Sequence, residues 1–504
     1  MSQGSALGVE TVGIGKRFGD LVALDDASVH VPAGSVHALL GENGAGKSTL
    51  VKCIMGYYRP DSGAVRIDGA EVAIASPRQA HALGLGMVYQ HFTLVPHMTV
   101  LENMVMARAD VPMIIDWGVE RRRFGDFLAT MPFQVPLDSP VSSMAAGEKQ
   151  KAEILKQLYL ESRFLILDEP TSVLTPNEAD EILGMIRDMA HEGRITVLII
   201  THKFREVMAF ADDVSVLRRG HLVGGGKVAD FTADDLARLM VGDQEIHGLG
   251  GRAADATGAN CLELRELAAE DDEGLPAVRN VTLAVRAGEI VGIAGVSGNG
   301  QSELVQVLAG QRDATGGEVW VHGERYHARR AETLRHRVSL LPEEPLRNAC
   351  IPRMSVSDNM AFRRFDQPPY AVASWLNRSA FRRAAEELIE RYRVRTRSPD
   401  TPVGTLSGGN VQRAVLAREL SGEVDVLIAA NPVFGLDFAA VADIHAQIMA
   451  ARNRGAAVLL VSEDLDELLE LSDRLLVIFE GQIVHETTPG DADLTVIGRY
   501  MAGH

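Results

Sequence analysis

The feature that most constrains this chain of 504 residues is that it carries one pattern twice. "GENGAGKST" begins at Gly41, and "GVSGNGQSE" begins at Gly295, 254 residues further on. At the same spacing, "ALDDASVHVPAGSVHALLG" from Ala23 matches "AVRNVTLAVRAGEIVGIAG" from Ala277. "MAAGEKQKAEILKQL" from Met144 matches "LSGGNVQRAVLAREL" from Leu406 after 262 residues, and "LIITHKFREV" from Leu198 matches "LLVSEDLDEL" from Leu459 after 261. Matches that keep one order along both halves indicate a duplication. The expected division is a first domain over 1–246, a linker over 247–260 and a second domain over 261–504. The linker, "HGLGGRAADATGAN", is dominated by Gly and Ala and has no hydrophobic period, so a flexible connection is expected there.

Each copy alternates short apolar runs with amphipathic helical stretches: "VHALL" before the glycine loop, "STLVKCIMG" after it, then "FLILD" and "TVLIIT". That alternation predicts an α/β domain with a mostly parallel sheet and ligands at the C-terminal ends of its strands.

The first glycine loop satisfies G-x-x-x-x-G-K-S over Gly41, Glu42, Asn43, Gly44, Ala45, Gly46, Lys47 and Ser48, with Thr49 next. Between a strand and a helix, such a loop turns backbone N–H groups and a helix N-terminus toward phosphates. Lys47 adds a cation near the β and γ oxygens, and Ser48 offers a hydroxyl to Mg²⁺. "FLILDEP" ends an apolar run with Asp168 and Glu169. Asp168 suits a metal shell and Glu169 suits polarising an attacking water, because phosphoryl transfer needs positioning and charge neutralisation. Alone, the two acids would also fit a surface pair at a strand end.

In order along the chain, "GENGAGKST", Gln90 in "MVYQH", "MAAGE", "LDEPTSVLTP" and His202 in "ITHK" resemble the motifs of ATP-binding cassette (ABC) ATPases. The resemblance runs nearly the whole length of the chain. It implies two tandem nucleotide-binding domains, each with a mostly parallel sheet core, an antiparallel β subdomain and a helical subdomain. It implies that Phe18 stacks on adenine, that Gln90 links Mg²⁺ and the γ-phosphate to a transmembrane partner, and that His202 contacts the γ-phosphate. Singly, Phe18 reads as a core aromatic, Gln90 as a surface amide and His202 as a strand-end histidine. Their shared order favours the site.

The second copy lacks this chemistry. Gln301 stands for Lys47, Asp272 for Phe18, Glu343 for Gln90, Ala430 for Asp168, Asn431 for Glu169 and Glu463 for His202. Gly295, Gly298, Gly300 and Ser302 are retained, enough for the shape of the loop. An amide at Asn431 cannot accept the proton of water. The second copy nonetheless has the fuller signature, "LSGGN", with Ser407, Gly408 and Gly409, where the first has Ala145. In ABC ATPases two domains pair head to tail, so this resemblance implies one complete composite site, the first loop with the second signature, and one degenerate site.

Two such domains in one chain resemble the ATP-binding subunit of bacterial importers for simple sugars and nucleosides, which serves separate integral-membrane permeases and an extracytoplasmic substrate-binding lipoprotein or periplasmic protein. "ANPVFGLD" and "VSEDLDELLELSDR" are similar to the nucleoside, basic-membrane-protein-associated branch. Val433 and Phe434 depart from that branch, and a ribose- or galactose-type importer is the alternative. The resemblance implies a peripheral place on the cytoplasmic face of the membrane, with residues from about 91 to 141 forming the permease-contacting helical subdomain. No apolar run approaches the roughly 18 residues of a membrane span. The formal charge of -18 argues against a general nucleic-acid binder, and the short Gly/Ala linker argues against a ribosome- or DNA-directed tandem ATPase. Three scattered cysteines suggest neither a disulfide framework nor a zinc site.

Overall fold

The structure is a computed structural model. It describes residues 5–42, 44–90, 92–108, 110–201, 203–241, 252, 258–296, 298–372, 375–433, 436 and 438–503. Asn43, His202, Phe434 and most of the linker expected over 247–260 lie outside the described residues. The chain divides into two compact units, Met1–Gln244 and Glu245–His504.

The first unit is built on a six-stranded sheet ordered His221–Lys227, Asp213–Arg218, Val36–Leu40, Thr196–Ile200, Phe164–Asp168, Leu85–Val88. All neighbours are parallel except the edge strand His221–Lys227. The runs "VHALL" and "TVLII" are buried along their whole length, as a parallel sheet covered on both faces requires. A separate antiparallel sheet runs Leu21–Ala27, Val9–Phe18, Ser62–Ile67, Ala70–Val72, with His30–Val31 paired to Val9–Phe18. The helices Val100–Met106, Trp117–Leu128 and Ala146–Tyr159 form the helical part, joined to the sheet through Leu101, Met104, Phe124 and Leu155.

The second unit repeats the plan. Its six strands run Val338–Leu341, Val426–Ala430, Ala457–Ser462, Ile290–Ala294, Arg474–Phe479, Gln482–Thr487, again with one antiparallel edge. Its antiparallel sheet runs Pro276–Arg286, Asn260–Glu270, Gly316–Val321, Glu324–Arg325. The α/β class, with parallel cores, antiparallel subdomains and helical subdomains, is thus the one the sequence predicts.

Local devices are duplicated as well. Buried Asn103 closes the turn ahead of its helix, accepting from Val95 N at 2.7 Å and donating to Val95 O at 3.2 Å. Asn359 does the same with Ile351 at 2.8 and 3.2 Å. An amide suits the place because one side chain serves both a backbone donor and a backbone acceptor that burial would otherwise leave unpaired.

Described residues of the expected linker bond to the second unit. Arg252 donates to Glu470 O at 3.0 Å and Ser472 O at 2.9 Å, at the C-terminus of the helix Leu465–Leu471, where free carbonyls attract a cation. Asn260, read as linker, begins a strand.

Candidate functional site

The glycine loop of the first unit follows Val36–Leu40 and opens into the helix Lys47–Ile54. Gly46, immediately before the helix, has φ 109°, and a Cβ there would lie 2.7 Å from Ala23 O. Only glycine fits both the left-handed backbone and that close approach. Lys47 Nζ turns into the loop and donates to Gly41 O at 2.6 Å and Glu42 O at 3.2 Å. Partial burial pulls its pKa below the usual lysine range, and the opposing field of Glu169, Asp168 and Glu42 favours the charged form. A cation held by loop carbonyls beside two carboxylates is ready to exchange those carbonyls for phosphate oxygens. Ser48 is exposed beside it, and Thr49 is partly buried.

Asp168 ends the buried strand Phe164–Asp168, and Glu169 follows with φ 49°, its N–H bonded to Ile200 O at 2.8 Å. That left-handed residue turns the chain out of the sheet at the strand's C-terminal end. Gln90, just beyond the neighbouring strand Leu85–Val88, donates from Nε2 to Glu169 Oε2 at 3.1 Å. Lys47, Asp168, Glu169 and Gln90 therefore converge from three separate strand ends. Phe18 is exposed at the end of its strand and meets Tyr58 edge to face, with ring centroids 5.1 Å apart. His202 and Asn43, expected in the same site, lie outside the described residues.

The second loop has the same backbone. Gly300, at φ 95°, precedes the helix Gln301–Leu308, and a Cβ on it would collide with Ala277 O, the counterpart of Ala23 O. Gly298 is also left-handed, at φ 92°. Gln301 is buried, its amide lying against Gly295 where Lys47 reaches Gly41 in the first unit. Ser302 is exposed. Asn431 repeats the left-handed turn of Glu169, at φ 39°, with its N–H on Val461 O at 2.7 Å. Its Oδ1 accepts from Glu463 N at 2.9 Å, so the amide bridges two strand ends. Where Phe18 meets Tyr58, Asp272 pairs with Arg312 at 2.6 Å, in a hairpin loop that runs from Glu270 to Pro276 instead of from Phe18 to Leu21.

The signatures differ in the opposite sense. Ser407 stands at the N-cap position of the helix Gly408–Leu420, and its hydroxyl accepts from Asn410 Nδ2 at 2.8 Å; Ser407 and Gly408 are exposed and Gly409 is partly buried. Ala145, before the helix Ala146–Tyr159, has no hydroxyl, and Glu148 accepts from its N–H at 3.0 Å.

Sequence reading missed Tyr58, Thr171, Thr201 and Glu206. Glu206 is 3% exposed and bonds the hydroxyls of both threonines. The available signal was a lone acid on the inner face of the short helix after "ITHK".

Comparison with known proteins agrees with this layout. The ABC transporter family model matches residues 24–172 and 278–433, one segment in each unit. Over 97% of this chain and 94% of its own length, the "Glucose import ATP-binding protein" of Haloferax volcanii is 40% identical. The "Guanosine import ATP-binding protein" of Bacillus subtilis is 37% identical over 98% of this chain and 97% of its own, and the "Nucleoside import ATP-binding protein" of Lactococcus lactis is 36% identical over 98% of each. Among solved structures, an archaeal ribosome recycling factor in complex with a ribosomal stalk protein aligns with a TM-score of 0.63 at 19% identity, covering 94% of this chain and 90% of that one, a likeness of fold alone. With both segments matched and full-length relatives above a third identical, the chain belongs to the ABC transporter family.

Proposed function

We propose that this chain is the ATP-hydrolysing subunit that energises import of a nucleoside or simple sugar through separate membrane permeases. The observation that carries the reading is the convergence of Lys47, Asp168, Glu169 and Gln90 at one glycine loop, in a chain whose full-length relatives are import ATP-binding proteins. In this reading the loop N–H groups from Gly41 to Thr49 and the helix N-terminus hold the triphosphate, Phe18 takes the adenine, and Lys47 neutralises charge between the β- and γ-phosphates. Glu169 accepts hydrogen from the attacking water, and Gln90, already bonded to that carboxylate, orients it.

Ser48, Gln90 and Asp168 present hydroxyl, amide and carboxylate oxygens, a hard donor set that fits Mg²⁺. Bound there, the ion would neutralise charge on the phosphate oxygens. Ser407, Gly408 and Gly409 complete the site by head-to-tail pairing of the domains, within one chain or between two. The second loop, with Gln301, Ala430 and Asn431, holds shape without hydrolysis.

No described helix is long and apolar enough to cross a membrane. A peripheral place on the cytoplasmic face follows from the permease partnership, with an extracytoplasmic binding protein delivering the solute. Met106, Met113, Ile114 and Trp117, exposed on the first helical part, suit the permease contact. We favour a nucleoside as cargo.

The test is to co-purify the chain with its permeases, reconstitute them with the binding protein, and measure ATP turnover with guanosine, other nucleosides, ribose and glucose. Stimulation by a nucleoside supports the favoured cargo, and stimulation by a sugar alone replaces it. Absence of Lys47-dependent turnover overturns the function.

A further inference from the structure

We infer that Glu206 is a positioning residue for hydrolysis: its buried carboxylate ties the loop that follows Glu169 to the strand end that precedes His202. This rests on the ATPase reading above.

Thr171 lies two residues beyond Glu169, and Thr201 immediately precedes His202. Glu206 stands on the helix Phe204–Phe210, and all three residues are 2–3% exposed. Thr171 Oγ1 donates to one oxygen of Glu206, and Thr201 Oγ1 donates to the other at 3.1 Å. Thr201 Oγ1 in turn accepts from Lys203 N at 3.1 Å, fixing the backbone on the far side of His202. Lys203 Nζ lies 3.7 Å from Glu206 Oε1 and donates to Thr171 O at 3.4 Å. One acid thus gathers the two segments that carry the proposed base and the proposed γ-phosphate contact. A buried carboxylate is suited to this because its two oxygens accept from two separate hydroxyls at once, and breaking either bond leaves a desolvated polar group.

The second unit shows what happens where there is no hydrolysis to position. Glu467 keeps half of the bridge, accepting from Ser462 Oγ at 2.6 Å, and Asp464 N bonds Ser462 Oγ at 3.0 Å. Val433 stands in place of Thr171, so the other half has no hydroxyl to bind. The second oxygen of Glu467 faces His445 Nε2 at 3.0 Å, anchoring it to the helix Phe438–Asn453. The strand ends are joined there by Asn431 itself, through Glu463 N. In the first unit Glu169, at the equivalent position, meets Gln90, and Glu206 binds Thr171 and Thr201 together.

The experiment compares kcat, ATP Kd and melting temperature for the full-length chain carrying Thr171→Val, Thr171→Ser or Glu206→Gln. Thr171→Val keeps the shape of the side chain and removes only the hydroxyl. It is expected to lower kcat at least tenfold with ATP Kd unchanged, since small misplacements of reacting groups are expensive in rate; the carboxylate oxygen left without its donor lowers the melting temperature while the chain stays folded at the assay temperature. Thr171→Ser is expected to restore turnover, and Glu206→Gln to lower kcat in the same way. In Thr171→Val, amide hydrogen exchange at Lys203 is expected to accelerate. Wild-type kcat in Thr171→Val overturns the inference, as does a loss of kcat accounted for by the fraction of chain unfolded at the assay temperature or by a fall in ATP affinity. If the unmodified chain shows no Lys47-dependent turnover, the ATPase reading itself fails and the inference goes with it. If turnover is present but indifferent to Thr171, the inference alone fails.

Discussion

Around their glycine loops the two units share a backbone plan and differ in a handful of side chains. Glu169 and Asn431 occupy the same left-handed turn and make the same backbone bond, to Ile200 O at 2.8 Å and Val461 O at 2.7 Å. Gly46 and Gly300 make the same close approach to a facing carbonyl. What changes is chemistry: a cation becomes a buried amide at Gln301, and an aromatic edge contact becomes the ion pair of Asp272 and Arg312. The comparison teaches that the architecture of this fold is held by apolar strands and backbone turns, which accept two chemically different sets of side chains at the same loop.

The most direct way to break the comparison is to remove charge from each loop in turn. Lys47→Ala and Glu169→Gln are each expected to lower ATP turnover by about 10²–10⁴, whereas Gln301→Ala keeps most of it. Equal losses would make the two sites equivalent. Gln301→Lys is expected to restore no hydrolysis at the second loop, because Ala430 and Asn431 still supply neither metal carboxylate nor base.

The signatures sharpen the comparison in the opposite direction. If the first loop uses the second unit's signature, Ser407→Ala lowers turnover about tenfold through loss of one hydrogen bond to phosphate. On the same condition Ala145→Ser, just ahead of the helix Ala146–Tyr159, leaves it unchanged. Steady-state kinetics of both variants decide it, and a gain from Ala145→Ser would relocate the working site. A smaller effect is expected at the adenine end. Phe18→Ala raises the KM for ATP about fivefold with little change in kcat, the value of one stacking contact, and Asp272→Ala does neither.

Much of this was legible in the sequence because the duplication supplies an internal comparison. Gly41, Gly46 and Lys47 were readable from spacing, as were Asp168 and Glu169 from the apolar strand ahead of them. The unread part depends on contacts between distant segments. Thr171, Thr201 and Glu206 are ordinary residues in the sequence, and their bond network exists only once two strand ends lie side by side. Likewise the partnering of Phe18 with Tyr58 needs the antiparallel sheet to bring residues 40 apart into contact. Arg252 sits in a Gly/Ala stretch that predicts a flexible linker, and nothing local announces the helix end it caps.

The smallest expected effect separates the units by pH. His445 in the second unit is 5% exposed, with Nε2 on Glu467 at 3.0 Å and Nδ1 3.3 Å from Glu470. Burial opposes its charge, but the hydrogen bonds of the two carboxylates outweigh burial and raise its pKa to about 9. Its unfolded value is near 6.5, so the folded state binds a proton that the unfolded state has already released between those limits. The stabilisation is therefore complete below about pH 6.5 and is lost as pH rises through about 9. The first unit has Leu183 at the equivalent place, and its acid Glu206 is held by threonine hydroxyls that do not titrate in this range. Chemical denaturation followed by amide exchange in each unit should show the second unit losing about 1–3 kcal/mol across this window relative to the first. His445→Gln should flatten that difference while leaving ATP turnover by the first loop intact. Parallel pH profiles in the two units would show that the His445 cluster is not what distinguishes them.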